Sequence, residues 1–175
     1  MHPAEIETAL EEMVILVDTR EQDTPSLRAR LKRFGKYERA KLDAGDYSAK
    51  VLIDNDWRVI PAAVERKMDF DELAMCYCKQ RPRFTREFER AKAANIKLYL
   101  LVEGGSWEDA YRGRYRSKMA AKSLVASILA WLARYNCQIL FCQPYTSGQL
   151  IRDILYREAK EFLTREAKEK LTNMD

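Results

Sequence analysis

Four short clusters of charged residues punctuate the first half of the chain: Val17-Asp18-Thr19-Arg20-Glu21, Gly45-Asp46-Tyr47, Val64-Glu65-Arg66-Lys67 and, four residues past that lysine, Asp71. Carboxylates delivered to a common sheet edge are hard oxygen ligands, which suit Mg2+ or Mn2+. Side chains alternate along a strand, so Glu65 and Lys67 would emerge from one face and Arg66 from the other. A lysine so placed holds or deprotonates an attacking water. A divalent ion polarises a phosphate and supplies hydroxide at neutral pH. The only histidine is His2, so metal plus lysine is the simplest route to phosphodiester hydrolysis among these residues. A bare D-x(n)-E-x-K pattern recurs by chance, and exposed charges at strand ends would explain so short a pattern equally well.

Such side chains need strands to carry them. Residues 3–12 read as a short helix, and Met13 to Val17 as a buried strand that delivers Asp18 at its end. Thr24-Pro25 starts a helix with Leu27, Leu31 and Phe34 on one face, ending at Gly35. A strand over 36–42, a turn at Ala44-Gly45-Asp46, and strands over 47–53 and 57–65 joined by Asp54-Asn55-Asp56 come next. The pattern then gives helices at 70–78 and 82–95 and a strand at 97–103. A Gly104-Gly105 turn and a basic loop lead to a helix at 119–135 and a strand at 137–142. The last helix, 147–171, is amphipathic through Leu150, Ile151, Ile154, Leu155, Phe162, Leu163 and Leu171. This order predicts one α/β domain over 1–175, with a central mixed β-sheet flanked by helices.

Composition narrows the class. A chain of 175 residues, 47% hydrophobic and 10% aromatic, suits a folded domain. No apolar run approaches the roughly 18 residues of a membrane span. The acidic start, MHPAEIETALEEM, lacks the basic and apolar segments of a signal peptide, so an intracellular protein is expected. Cys76, Cys78, Cys137 and Cys142 lack the C-x2-C spacing of a zinc site and read as structural thiols.

The net charge is only +4, but its distribution is uneven. Lys79, Arg81, Arg83, Arg86, Arg90 and Lys92 crowd one segment, and Arg112, Arg114, Arg116, Lys118 and Lys122 another. A solvated face is the plain reading of each; beside the acidic motif, phosphate contact is the alternative. Trp57 and Trp131 are expected in the core. Trp107, Tyr111 and Tyr115 flank the second basic run, where aromatic rings can stack on an unpaired base.

Gly45-Asp46 followed by Glu65-Arg66-Lys67-x3-Asp71 matches the GDx(n)ERKx3D signature of the XPF family of structure-specific DNA endonucleases, and VDTRE matches that family's first acidic motif. The chain resembles that family's nuclease domain over about residues 13–145, through Arg83-Phe84 and the strand ending Leu101-Val102-Glu103. The resemblance implies a restriction-endonuclease-like fold and a Mg2+-dependent endodeoxyribonuclease, with Mn2+ as a substitute. It makes Asp18, Asp46 and Glu65 metal ligands, with the backbone carbonyl of Arg66 as a fourth, and Lys67 the residue that positions water. Arg20, Glu21, Arg66 and Asp71 would support them. Arg83 would lie near the scissile strand, with Lys79, Arg81, Arg86, Arg112, Arg114, Arg116 and Lys118 as further DNA contacts.

The family commonly adds a tandem helix-hairpin-helix domain, of which this sequence shows no repeat. A stand-alone form is therefore expected, with targeting left to the nuclease itself, a homodimer partner or a separate protein. Branched or single-strand/double-strand junction DNA is the expected substrate. The alternatives are a less selective phage-type or resolvase-like nuclease, or a non-catalytic DNA-binding subunit. Inactive partners typically lose the motif residues that are all present here.

Overall fold

The computed structural model describes residues 2–172. In chain order the elements are α1 (Pro3–Glu11), β1 (Val14–Asp18), α2 (Pro25–Phe34), β2 (Tyr37–Ala40), β3 (Tyr47–Ile53), β4 (Asp56–Val59) and β5 (Ala62–Lys67). They continue as α3 (Phe70–Cys78), α4 (Arg81–Ala93), β6 (Lys97–Glu103), α5 (Trp107–Arg112), α6 (Ala121–Arg134), β7 (Cys137–Cys142) and α7 (Pro144–Thr172). The chain folds as two compact units. One comprises Met1–Leu42, Tyr47–Ala62 and Gly148–Asp175, and the other Asp43–Asp46 and Ala63–Ser147. No helix among the described residues is long and apolar enough to cross a membrane.

In the first unit, β1 runs parallel to β2 and antiparallel to β3, which turns back antiparallel into β4. Asp54 and Asn55 both adopt positive φ, 51° and 63°, the backbone of a type I′ hairpin turn. The Thr24 hydroxyl accepts from the Leu27 amide at 3.1 Å, and Pro25 opens α2, as the sequence predicts. His2 caps α1 in a reciprocal box with Glu5. On α7 the buried stripe is Ile151, Leu155, Ala159, Leu163 and Ala167, one residue per turn; the Leu171 side chain lies outside the described residues. Gly148 allows that helix to meet α2 at backbone distance, since a Cβ there would stand 2.9 Å from the Cα of Arg30.

Two sequence expectations change in this region. The single strand over 57–65 is two strands, because Pro61 has no amide to donate and the Ala62 amide instead closes onto the Ile60 carbonyl at 2.8 Å. Trp57 is not in the core: β4 pairs with β3 and leaves the indole 43% exposed, with the Lys50 ammonium 4.8 Å from the ring centre.

In the second unit, β5, β6 and β7 lie side by side, and β6 and β7 are parallel with Leu98 opposite Cys137. Parallel neighbours require a crossover, supplied by α5 and α6. Leu100, Leu101 and Val102 are fully buried on both faces of β6, the continuous apolar run such a strand needs. Trp131 of α6 is buried as expected and stacks on Phe84 at 5.6 Å, with Tyr77 edge-on at 4.9 Å. The four cysteines are free thiols. Burial pushes Cys76 up to about 11 and Cys137 up to about 12, which leaves both protonated and structural.

The basic loop is partly helical. The Ser106 hydroxyl accepts from the Asp109 amide at 3.1 Å to start α5, and Gly113 ends it at φ 66°. Trp107 packs edge-on against Phe141, and Tyr115 lies against Phe70 while donating to the Met119 carbonyl at 2.9 Å. Both rings serve the packing, and Tyr111 is the exposed member of the trio.

Candidate active site

The alternation expected of β5 is realised. Glu65 and Lys67 share a face and are both buried, at 4% and 7% exposure. The Lys67 ammonium donates to Glu65 Oε1 at 2.5 Å, lies 3.7 Å from Glu72 Oε1, and sits over the Phe84 ring at 5.4 Å. Arg66 takes the other face and forms a two-pronged pair with Glu103, its Nε and Nη2 donating at 2.9 and 2.8 Å. A planar guanidinium matched to a buried carboxylate fixes the strand's rotation about its axis.

Asp46 is clipped onto the same strand. Gly45 has φ +75°, and a Cβ there would stand 3.0 Å from Ala63 Cβ and 3.1 Å from the Val64 carbonyl oxygen. Only glycine permits that approach. The Asp46 amide then donates to the Val64 carbonyl at 2.8 Å, and the Arg66 amide donates to Asp46 Oδ2 at 2.8 Å. These two bonds bracket Glu65. The Gly45 amide is held by Glu87 Oε1 at 3.1 Å, from a carboxylate buried on α4. Glu87 was not among the expected site residues. Its signal was available, because Phe84, Glu87, Phe88 and Ala91 form the buried stripe of α4, and an acid on an apolar stripe needs a partner.

The electrostatics follow from burial. Burial pushes the Glu65 carboxyl well above the usual range, and Asp46 pushes it further; Lys67 opposes both, and Glu87 adds to the rise. Burial alone would lower the Lys67 ammonium, but the attraction of Glu65 outweighs it and holds the lysine as a cation, above its ordinary value. Glu65 Oε2 is buried with no hydrogen-bond partner among the described residues. An orphaned carboxylate oxygen costs a few kcal/mol, and a coordinated cation is one kind of partner that would offset that cost. No three Asp, Glu, His or Cys side chains among the described residues form a ready metal cage. Mg2+ does not require one, because it keeps several waters and takes one or two carboxylates together with phosphate. Asp46 and Glu65 fit that demand.

In the first unit, Asp18 is buried at the end of β1 as expected, and its oxygens are fully engaged. Oδ1 accepts from the Arg20 amide and Nε, both at 2.7 Å, and Oδ2 accepts from Arg20 Nη2 at 3.0 Å and the Leu42 amide at 2.9 Å. Burial would raise its carboxyl, but the hydrogen bonds from Arg20 and Leu42 hold it below the usual carboxylate range. Glu21 accepts from the Tyr47 hydroxyl at 2.7 Å, which in turn accepts from buried Arg30 at 3.0 Å. Tyr47 and Arg30 thus complete the acidic motif's local network, with no helical or strand periodicity to announce it.

The ERCC4 domain profile matches residues 17–153. The chain belongs to the ERCC4 domain family. That match begins one residue before Asp18 and takes in Asp46, Glu65, Lys67 and Asp71. No curated protein matches the chain. Among solved structures, XPF from Aeropyrum pernix is similar with a TM-score of 0.56 and 21% identity, over 81% of this chain and 59% of that one. XPF from Aeropyrum pernix in complex with DNA gives 0.58 and 22%, over 85% of this chain and 65% of the other. The chain therefore spans about three fifths to two thirds of those chains. The fold is the expected restriction-endonuclease-like α/β class, a mixed β-sheet flanked by helices.

Within the ERCC4 domain, the last motif residue turns away from Glu65 and Lys67. Asp71 reaches the basic loop instead. Its Oδ1 accepts from the Ser117 amide at 2.6 Å and its Oδ2 from Arg116 Nε at 2.9 Å. Slight burial raises its carboxyl, but Arg116 and the Ser117 amide hold it below the ordinary range. The motif aspartate pins the loop that carries the second basic cluster. Lys79, Arg83, Arg86, Arg112, Arg114 and Lys118 are all exposed, while exposed Arg81 lays its guanidinium 5.7 Å from the Trp131 ring centre.

Proposed function

We propose that the chain is a divalent-metal-dependent DNA endonuclease that hydrolyses phosphodiester bonds at branched or single-strand/double-strand junction DNA. The observation that carries this is the buried Glu65–Lys67 pair, bracketed by the Asp46 clip and leaving Glu65 Oε2 without a partner among the described residues. Membership of the ERCC4 domain family and a similar fold solved in complex with DNA support it.

Asp46, Glu65 and the Arg66 carbonyl would hold Mg2+ or Mn2+, which when bound supplies Lewis acidity toward a phosphate and an acidified water. Lys67 is held as a cation by Glu65, so its resting role is to donate to and orient the nucleophilic water. Offsetting the Glu65 charge removes the attraction that raises Lys67 and leaves burial, which lowers it, so the ammonium becomes the readier proton carrier. The Arg66–Glu103 pair keeps β5 from rotating while this happens. The ligand role that the resemblance gives Asp18 requires one of its four donors to leave, and Arg20, 48% exposed, is the one with somewhere to go. Exposed basic residues on α4 and in the Arg112–Lys118 segment contact phosphates, which gives affinity without sequence choice. Preference for a junction then comes from DNA shape, a second copy or a targeting protein.

Purified protein should cut flap, fork and four-way-junction DNA with Mg2+ or Mn2+ and none of them with EDTA. Failure to cut any substrate with metal would remove the catalytic assignment. Plain duplex cut as fast as branched DNA would remove the junction preference and leave the chemistry standing.

A further inference from the structure

A groove of about 740 Å³ opens between α3 and the loop that follows α5. Its floor is apolar and rich in sulfur: Ala74, Met75, Cys78 and Met119 line it, with Cys78 Sγ 3.9 Å from Met119 Sδ. Met75 is 47% exposed, so the sulfur-rich floor is open to solvent. Lys79 and Lys118 stand on its rim, exposed, and neither has a carboxylate partner among the described residues. Arg116 differs: ion pairs to Asp71 at 2.9 Å and Asp69 at 3.7 Å offset its charge and make it part of the wall. The motif residue Asp71 therefore fixes the shape of this groove.

We propose that the groove seats an unpaired nucleotide of a single-stranded DNA segment, with the base on the sulfur-lined floor and the flanking phosphates on Lys79 and Lys118. This rests on the proposed DNA endonuclease function and adds to it a subsite for single strand. Three features select that occupant. The volume falls within the range of pockets that take small organic groups. Polarisable sulfur packs well against aromatic rings. Two uncompensated cations beside an apolar floor match the phosphate and base pattern of single strands, whereas a double helix hides its base faces.

The test uses the full chain in EDTA, so that binding is measured without cleavage. Fluorescence anisotropy compares a short labelled oligothymidylate with an abasic oligonucleotide of the same length across a salt series. The wild type should bind the thymidylate roughly fivefold or more tightly than the abasic strand. The Met75→Ser/Met119→Ser variant should lose that difference. The Lys79→Ala/Lys118→Ala variant should bind both strands more weakly and reduce the slope of log K against log salt by about 1.4, near 0.7 for each phosphate that is no longer neutralised. Equal wild-type binding of the two strands would overturn the subsite, as would either double variant binding like wild type. A methionine variant that sediments more slowly than wild type would also overturn it, by giving the groove to a second copy of the chain. Cleavage assays on the same preparations separate the two readings. Variants that bind like a cutting wild type remove the groove alone; base-dependent binding by a wild type that never cuts removes the nuclease mechanism alone.

Discussion

Lys67→Met should reduce the single-turnover cleavage rate by roughly 10²- to 10⁴-fold, the range over which positioned proton-transfer groups act. The side chain is nearly isosteric with lysine, so the Phe84 contact persists and only the ammonium is removed. That ammonium is also the group that balances Glu65. Breaking one half of a buried ion pair costs about 3–5 kcal/mol when the remaining charge is kept. Glu65 has an alternative, because burial, Asp46 and Glu87 already push its carboxyl up, so in the variant it takes a proton. A folded pKa raised above the unfolded value, about 4.3, gives full stability below that value and a loss as pH rises through the folded value. The gap in stability between variant and wild type should therefore widen with rising pH, as read by urea unfolding across a pH series. A gap that does not change with pH would show that Glu65 is not the carboxyl left unbalanced.

Asp18→Ala should destabilise the protein by about 2–4 kcal/mol. The carboxylate satisfies the buried Leu42 amide and organises Arg20, so its removal orphans a backbone donor as well as a cation. Arg20 is half exposed and water replaces part of what it loses, which keeps the expected cost below the sum of four charged hydrogen bonds. The gap again widens as pH rises, as for Lys67→Met, but it opens in a lower pH range, because the Asp18 carboxyl is displaced downward where that of Glu65 is displaced upward. The Asp18 carboxyl is held low, so its contribution is present above the unfolded value of about 3.9 and is lost as pH falls through the folded value. The difference from wild type should be full at neutral pH and close only in acid. Asp18→Asn, which keeps an acceptor for the Leu42 amide, should fall between the two. An alanine variant as stable as wild type at neutral pH would mean that the four short hydrogen bonds contribute nothing.

The chemistry-bearing strand was legible because period-two alternation is local. Glu65 and Lys67 share a face and Arg66 the other, whatever surrounds them. The apolar runs of β6 and β7 and the Thr24-Pro25 helix start were legible for the same reason. What was not legible depends on distant partners. The Gly45 approach to β5 needs the Val64 carbonyl, and the role of Glu87 needs the Gly45 amide, 42 residues away in sequence. Asp71 looked like an accessory to Lys67, yet its partners are in the loop at 116–117. Two misses were local. The Ser106-x-x-Asp109 start of α5 and the Pro61 break before β5 were both written in the sequence, but the basic run after the first and the apolar run across the second outweighed the signals. Trp57 followed from that error, since a strand continuing to residue 65 would have been central and its indole buried.

Asp46→Asn tests the proposed metal chemistry most directly. The amide oxygen still accepts from the Arg66 amide, so the clip onto β5 and the fold are kept while the negative charge is removed. Single-turnover cleavage of a fork substrate should rise with Mg2+ and saturate for the wild type. It should stay at or below about 1% of that rate for Asp46→Asn at every Mg2+ concentration, a loss of several kcal/mol of transition-state stabilisation. An Asp46→Asn protein that cuts as fast as wild type, or a wild type that cuts as fast in EDTA as in Mg2+, would contradict the proposed metal-dependent nuclease.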